Sequence, residues 1–179
     1  MLRIVGRIAP VLALSLAVFV PAGLGQDWPQ WRGPERDGKV KGFTVPQQWP
    51  QELRLRWRLT VGYGDATPAL VGDKLYCFAR QEANEVLLCI GAEDGKVIWK
   101  DGYQAVEVRG AASRHPGPRG SPAVAAGKVV TLGVGGVLSC LDAGTGKVLW
   151  RKDIFPNLVP QFYTGTSPLI ADELVITHL

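Results

Sequence analysis

The 179-residue chain has little of what metal centres and cysteine-dependent sites use. It contains three cysteines and two histidines, with no adjacent cysteine pair and no CxxC or CxxCH arrangement. Zinc centres, covalent haem and a vicinal disulfide therefore have no signal in the sequence. The sequence predicts no catalytic, cofactor-binding or metal-binding residue.

An excess of charge of one sign is also missing. The formal net charge is +4, and it falls to +2 if residues 1–25 are removed, because they contain Arg3 and Arg7 and no acid. Nucleic-acid-binding domains usually carry a much stronger basic patch. We expect no nucleic-acid partner.

The chain has one long apolar run, and it lies at the N-terminus. Arg3 and Arg7 precede the run Val11–Val20, which is followed by Pro21-Ala22-Gly23. This order is typical of a secretory signal peptide, so we predict that residues 1–25 are one, cleaved after Ala22 or Gly25. The mature protein is then periplasmic or secreted, without a transmembrane segment. The alternative is a retained anchor, since residues 8–25 are almost long enough to span a bilayer.

What the sequence does contain is a repeat. CIGAEDGKVIW begins at Cys89 and CLDAGTGKVLW begins at Cys140, 51 residues later. Upstream of both copies, ATPALVGDK at 66–74 matches GSPAVAAGK at 120–128, and TSPLIADEL at 166–174 opens a third unit. Units of about 45 to 55 residues indicate a repeat architecture.

Each unit is predicted to form four short strands. The apolar runs are rich in Val, Ile and Leu, turn residues recur at regular spacing, and no segment after residue 25 keeps a helical period. Four strands per repeat are typical of a β-propeller blade, and propellers have four to eight blades. We therefore predict an all-β, partial β-propeller of antiparallel blades and an N-terminal fragment of a longer protein.

The repeat also divides the chain. After the signal peptide we expect an extended arm at 26–52, held on the outside of the ring by Trp28, Trp31 and Trp49. Residues 53–62, with Trp57, are predicted to be an orphan outer strand of the last blade. Blade 1 is then 63–101, blade 2 with its preceding connection is 102–153, and a truncated third blade starts in 154–179.

The cysteines leave two possibilities open. Aligning the copies places three extra residues of blade 1 in a hairpin loop at 81–85. If the register across that hairpin pairs Arg80 with Val86, Cys77 faces Cys89 and a disulfide can form. Otherwise the cysteines are buried free thiols.

The eleven-residue pattern resembles the docking motif A-x-D-x-x-T-G-K-x-x-W of the PQQ-like, or quinoprotein alcohol dehydrogenase-like, propeller repeats. The second copy matches at Asp142, Thr145, Gly146, Lys147 and Trp150 and has Cys140 in place of Ala. The first copy keeps Gly95, Lys96 and Trp99 but has Cys89, Gly91 and Asp94 where the motif has Ala, Asp and Thr. The resemblance covers residues 57–179.

The resemblance implies a structural role for this motif. The indole packs on the small first residue and against the next blade's turn, where its N–H reaches a backbone carbonyl. The structural docking motif in this chain is therefore Cys89, Gly95, Trp99, Cys140, Asp142, Thr145, Gly146 and Trp150.

Two functions are compatible with the family. One is a non-catalytic scaffold that binds another exported or outer-membrane protein, as outer-membrane assembly-factor propellers do. The other is a PQQ-dependent oxidoreductase that holds a quinone with calcium through residues outside this chain. We favour the scaffold, because the quinoprotein ligands and an adjacent cysteine pair cannot be assigned here, although fold alone does not decide.

A basic segment before the first strand of blade 2 is the one candidate ligand contact. Arg114, His115 and Arg119 lie in VRGAASRHPGPRG, a connection expected on the face where the channel opens. They could contact an anion, a peptide carboxylate or a quinone. A solvated basic loop is the alternative.

Overall fold

The computed structural model describes residues 26–156 and 161–178. In this part of the chain there is one short 3₁₀ helix, Gly110–Arg114, and the remaining regular structure is β-strand. The strands are β1 (Ala69–Val71), β2 (Lys74–Gln81), β3 (Asn84–Gly91), β4 (Val97–Gln104), β5 (Ala123–Ala125), β6 (Lys128–Leu132), β7 (Val137–Asp142), β8 (Val148–Asp153), β9 (Leu169–Ala171) and β10 (Leu174–Ile176). The predicted signal peptide lies outside the described residues.

These strands form three antiparallel sheets in chain order. The first sheet contains β1 to β4, the second contains β5 to β8, and the third contains β9 and β10. Between neighbouring sheets, the first strands β1, β5 and β9 approach each other most closely. Meandering sheets whose first strands converge are blades around an axis, with those strands innermost. The prediction of an all-β, partial β-propeller is confirmed.

Apolar layers hold neighbouring sheets together. One layer joins the first and second sheets, a second joins the second and third, and a third covers the other face of the first sheet with residues 57–61. In the first layer Phe78 and Leu87 meet Val129 and Leu141, all with 2% or less of their surface exposed. Burial of side chains of this size stabilises a fold by about 1.5 to 3 kcal/mol each. The sheets are therefore held face to face by packing.

The hairpin between β2 and β3 differs from the expectation. It turns on two residues, Glu82 and Ala83, and Gln81 pairs directly with Asn84. Glu82 has a φ of 53°, in the left-handed region that tight turns use. The three extra residues of blade 1 therefore lengthen the two strands to eight residues each, instead of forming a longer loop.

That turn also decides the state of the cysteines. Arg80 pairs with Glu85, one residue away from the register that a disulfide needs, so Cys89 lies opposite Tyr76 and Cys77 lies opposite Leu88. A shift of one residue sends the two side chains to opposite faces of the sheet. Cys77, Cys89 and Cys140 are free thiols, and burial raises the pKa of each. The possible disulfide between Cys77 and Cys89 is thereby excluded.

The segments before the first sheet follow two different paths. Residues 53–62 contain no strand in the described part of the chain, yet Leu59 and Val61 pack against the first sheet. The arm begins at the inner edge of that sheet, because Trp28 pairs with Leu70 of β1. The expectation that Trp28 pins the arm to the outside of the ring is wrong. Its main chain binds an inner strand, which aromatic content does not indicate.

No helix among the described residues combines the length and the apolar character needed to cross a membrane.

Candidate functional site

Two tryptophans make the same kind of contact with a following sheet. Trp57 precedes the first sheet, and Trp99 lies in β4. The indole Nε1 of Trp99 donates a 3.1 Å hydrogen bond to the carbonyl oxygen of Ala143, and that of Trp57 donates a 2.9 Å bond to Ala92. Ala92 and Ala143 occupy the same position in the two copies of the motif. Trp57, which precedes the first sheet, is therefore placed as the outer tryptophan of a preceding blade would be.

A glycine makes room for each indole. Gly95 and Gly146 have φ values of 71° and 74°, and a Cβ atom on either would lie 2.6 Å from the nearest ring carbon, in Trp57 or Trp99. The cysteine that starts each motif pairs across the sheet with the tryptophan that ends it, Cys89 with Trp99 and Cys140 with Trp150. Because both copies share this geometry, the first motif position, opposite the tryptophan, is small and the turn contains glycine.

The two motif turns are each held by an aspartate carboxylate, but from different positions of the motif. In the second, the carboxylate of Asp142 accepts from the backbone and hydroxyl of Thr145, at 2.8 and 2.7 Å, and these bonds lower the pKa of Asp142. In the first, Asp94 accepts from the amide of Lys96 at 3.1 Å and reaches back over Gly91, where a Cβ would lie 2.7 Å from its oxygen. The departures of the first copy from the motif thus compensate for each other.

Two hydrogen bonds to serine hydroxyls link the segments that start the inner strands. The amide of Thr67 donates to the hydroxyl of Ser121 at 3.1 Å, and the amide of Ser121 donates to the hydroxyl of Ser167 at 2.9 Å. Each hydroxyl belongs to the residue before the proline that opens its unit. These hydroxyl contacts were not predicted from the sequence. Their recurrence at one position in all three units was the available signal.

A polar cluster is buried between the first two sheets. Glu85 is 1% exposed, and its carboxylate accepts from the amide of Val134 at 2.9 Å and from the hydroxyl of Tyr103. Burial raises the pKa of Glu85, and these hydrogen bonds oppose part of the rise. The guanidinium of Arg151 lies 4.6 Å from the ring centroid of Tyr103 and pairs with Asp101. The sequence does not predict this cluster, because the alignment of the two repeats places Glu85 in the hairpin loop at 81–85.

The predicted basic segment does not form one site. His115 lies 3.1 Å from the carboxylate of Asp65, which is 50 positions earlier in the chain. Arg114 is an exposed residue at the end of the 3₁₀ helix. Arg119 donates to the carbonyl oxygen of Phe162 at 2.8 Å and lies 6.0 Å from the ring of Tyr163. Of the three, Arg119 alone lines the cavity between the N-terminal arm and the third sheet.

The arm covers the inner edges of the first two sheets. The amide of Trp28 donates to Leu70 at 2.7 Å and the amide of Leu70 donates back to Trp28 at 2.9 Å. One residue further on, the carbonyl of Pro29 accepts from the amide of Val124 in β5 at 2.8 Å. The arm therefore adds a short segment of extended chain along two neighbouring inner strands. This is the geometry of β-strand addition to a free sheet edge.

A cavity of about 640 Å³ opens between the arm and the third sheet. The arm contributes Trp31 and Arg36, the connection contributes Arg119, and the third unit contributes Gly165, Thr166, Ser167, Leu169, Ile176, Thr177 and His178. Two arginines and no acid are among these residues. The cavity is thus suited to an anion with an apolar body.

The described residues contain no cluster of three or more metal-binding His, Cys, Asp or Glu side chains. Calcium needs six to eight oxygen ligands, commonly from several carboxylates. The arm also occupies the inner edges of β1 and β5.

Comparison with known proteins agrees with this architecture. Quinohemoprotein alcohol dehydrogenase from Comamonas testosteroni matches with a TM-score of 0.54 and 23% identity, over 83% of this chain and 22% of that one. A europium-containing methanol dehydrogenase matches with a TM-score of 0.51 and 23% identity, over 68% and 22% of the two chains. BamB from Moraxella catarrhalis gives 0.49 and 19%, over 67% and 36%. At 23% identity the likeness to the two dehydrogenases shows the fold alone.

The chain spans about a fifth of the length of the two dehydrogenases that it matches. A search of curated protein sequences finds no match. A family model described as outer membrane protein assembly factor BamB matches residues 83–179, more than half of the chain. The chain therefore belongs to this family of PQQ-like repeat β-propellers.

Proposed function

We propose that the protein is an exported, non-catalytic propeller that binds another protein as a scaffold. The observation that carries the proposal is the pairing of Trp28 and Pro29 with β1 and β5. These inner edges already hold an extended polypeptide by main-chain hydrogen bonds. Main-chain bonds of this kind give affinity for peptides with little demand on their sequence.

The family description supports the same function. The matching model is named for an outer membrane protein assembly factor, and a factor of that kind acts on other proteins. The remainder of the propeller and another exported or outer-membrane protein are the partners we propose. Export itself rests on the predicted signal peptide in residues 1–25. Cleavage of that peptide predicts a mature chain that begins at Gly23 or Gln26, which mass spectrometry of the purified native protein can determine.

Photo-crosslinking tests the scaffold function directly. A benzophenone amino acid in place of Trp31, which is 44% exposed beside the cavity, is expected to capture another exported protein in the native cell. The matched control is the same amino acid in place of Lys147, an exposed residue on the turn between β7 and β8. Capture at position 31 and not at position 147 supports the scaffold.

An oxidation assay tests the alternative function, a PQQ-dependent oxidoreductase. The purified protein is incubated with PQQ and calcium and assayed with an alcohol and an artificial electron acceptor. Turnover that depends on both additions, together with no capture at position 31, would reject the scaffold in favour of a quinoprotein.

A further inference from the structure

Two arginines and no acid line the cavity between the arm and the third sheet, and we call these two arginines its charged end. Arg36 reaches it from the arm and Arg119 reaches it from the connection before β5. The Nη1 atom of Arg36 is buried and has no hydrogen-bond partner among the described residues. A buried guanidinium nitrogen without a partner is costly, so an acceptor at this place is favoured.

The second arginine is held in position. Its Nη1 donates to the carbonyl of Phe162 at 2.8 Å, and the guanidinium lies 6.0 Å from the ring of Tyr163. A guanidinium fixed in this way presents its remaining N–H groups in a set direction. Planar guanidinium groups pair with carboxylates through two parallel hydrogen bonds. The chemistry therefore favours a carboxylate.

The inner edge of the third sheet continues the surface that the arm uses. Trp28 pairs with β1 and Pro29 accepts from β5, but the arm then turns at Gln30–Gly33, where Gly33 donates to Gln30 at 3.0 Å. Within the described residues β9 pairs only with β10. Leu169, the first residue of β9, lines the cavity. An extended peptide can therefore add to β9 as the arm adds to β1.

The rest of the cavity wall is mainly apolar. Its apolar surface comes from Trp31, Leu169 and Ile176. Thr166 and Ser167 also line the cavity. Such a wall receives an apolar side chain next to the charged end. The three parts of the site, an edge, a charged end and an apolar wall, match the end of a peptide.

We propose that this cavity binds the C-terminal carboxylate of an extended peptide whose last residue is apolar. The carboxylate pairs with Arg36 and Arg119, the last side chain packs on Trp31 and Ile176, and the main chain follows β9. The inference rests on the proposed function, because it names the partner chemistry of the same channel face.

The test measures the fluorescence anisotropy of a labelled peptide, Ser-Val-Ser-Val-Phe, with the whole chain. We expect the peptide with a free C-terminus to bind at least tenfold more tightly than the same peptide with a C-terminal amide. Arg36→Gln and Arg119→Gln should each weaken binding of the free peptide at least tenfold. Arg109→Gln is the matched control, since Arg109 is exposed and paired with Glu107, and it should stay within twofold.

Folding is checked separately. Circular dichroism and the melting temperature are compared for every variant, and Arg36→Lys provides a change that keeps the charge but not the planar fork. This variant should bind the free peptide more weakly and bind the amidated peptide with unchanged affinity.

Three outcomes would overturn the inference. They are equal affinity for the free and amidated peptides, unchanged affinity in folded Arg36→Gln and Arg119→Gln, or benzoate competing as strongly as the peptide. The last would assign the cavity to small carboxylates. The scaffold function fails by a different result, the loss of capture at position 31, so capture without a carboxylate preference rejects the inference alone.

Discussion

The amide N–H of Ser121 donates a 2.9 Å hydrogen bond to the hydroxyl oxygen of Ser167, the residue at the same place in the next unit. Thr67 makes the equivalent bond to Ser121, so Ser121 acts as donor to one neighbour and acceptor from the other. Three units are thereby linked near the axis by two hydrogen bonds, each from a backbone amide of one unit to a serine hydroxyl of the next. The tryptophans make the corresponding links at the outer side.

Replacing Ser121 by alanine should destabilise the protein. Ser121 is 2% exposed, and its loss leaves the amide of Thr67 without its acceptor. We expect a cost of about 1 to 3 kcal/mol in the free energy of unfolding, measured by urea denaturation. Ser113→Ala, at an exposed serine that bonds only to nearby Gly110, should cost less than about 0.5 kcal/mol. Equal losses in the two variants would contradict this role.

Alanine substitutions at two glycines can distinguish the cost of backbone strain from the cost of displacing an indole ring. Gly146 and Gly127 have φ values of 74° and 70°, but a Cβ at Gly146 would lie 2.6 Å from the ring of Trp99 and one at Gly127 meets nothing within 4 Å. Gly127→Ala should cost about 1 to 2 kcal/mol for the backbone. Gly146→Ala should cost about 1 to 3 kcal/mol more, because the indole must move. Similar unfolding free energies for the two variants would show that the indole contact is unimportant.

Glu85 should make the protein less stable as the pH rises. Burial raises the pKa of Glu85 in the folded state above its ordinary value. Above that ordinary value the unfolded chain releases its proton first, so stability falls until the pH passes the folded pKa and then stays low. Glu85→Gln lacks this loss, so in urea denaturation its stability should rise relative to the wild type as the pH increases above the ordinary pKa of a glutamate. Glu93→Gln, at an exposed turn, should follow the wild type throughout.

The arm should protect amides on the inner strands. The amides of Leu70 and Val124 donate to Trp28 and Pro29, so hydrogen exchange there is expected to be slow. Deletion of residues 26–38 should speed exchange at both amides by at least about tenfold. The amide of Leu88, in the middle of β3 and two strands away from β1, is the internal control and should change little. Slow exchange at Leu70 without the arm would mean that another contact protects it.

The sequence predicts the repeat well because its signals are local. The turn glycines, the strand runs and the tryptophans each occur within a few residues, and they place the four-stranded sheets correctly. The register across Glu82 and Ala83 was not predictable in the same way. It depends on whether an alignment gap lies in a loop or in the paired strands, and a single residue decides which face Cys77 occupies.

The candidate site depends on contacts between distant segments. Arg119 was identified from its basic segment, but Trp31 and Arg36 enter the cavity because the arm follows the inner edge of the sheets. That path is set by main-chain bonds at Trp28 and Pro29, which no side-chain pattern encodes. The contact between His115 and Asp65, 50 positions apart, has the same origin.

The first sheet is held at both its inner and its outer margin by chain that precedes it. Trp28 binds β1 at one margin, and Trp57 covers Gly95 at the other. A ribosome delivers both of these residues before any strand of that sheet. Folding during synthesis generally proceeds from the N-terminus. The first sheet can consequently close on partners already present in the nascent chain, and it can serve as the template on which the second sheet forms.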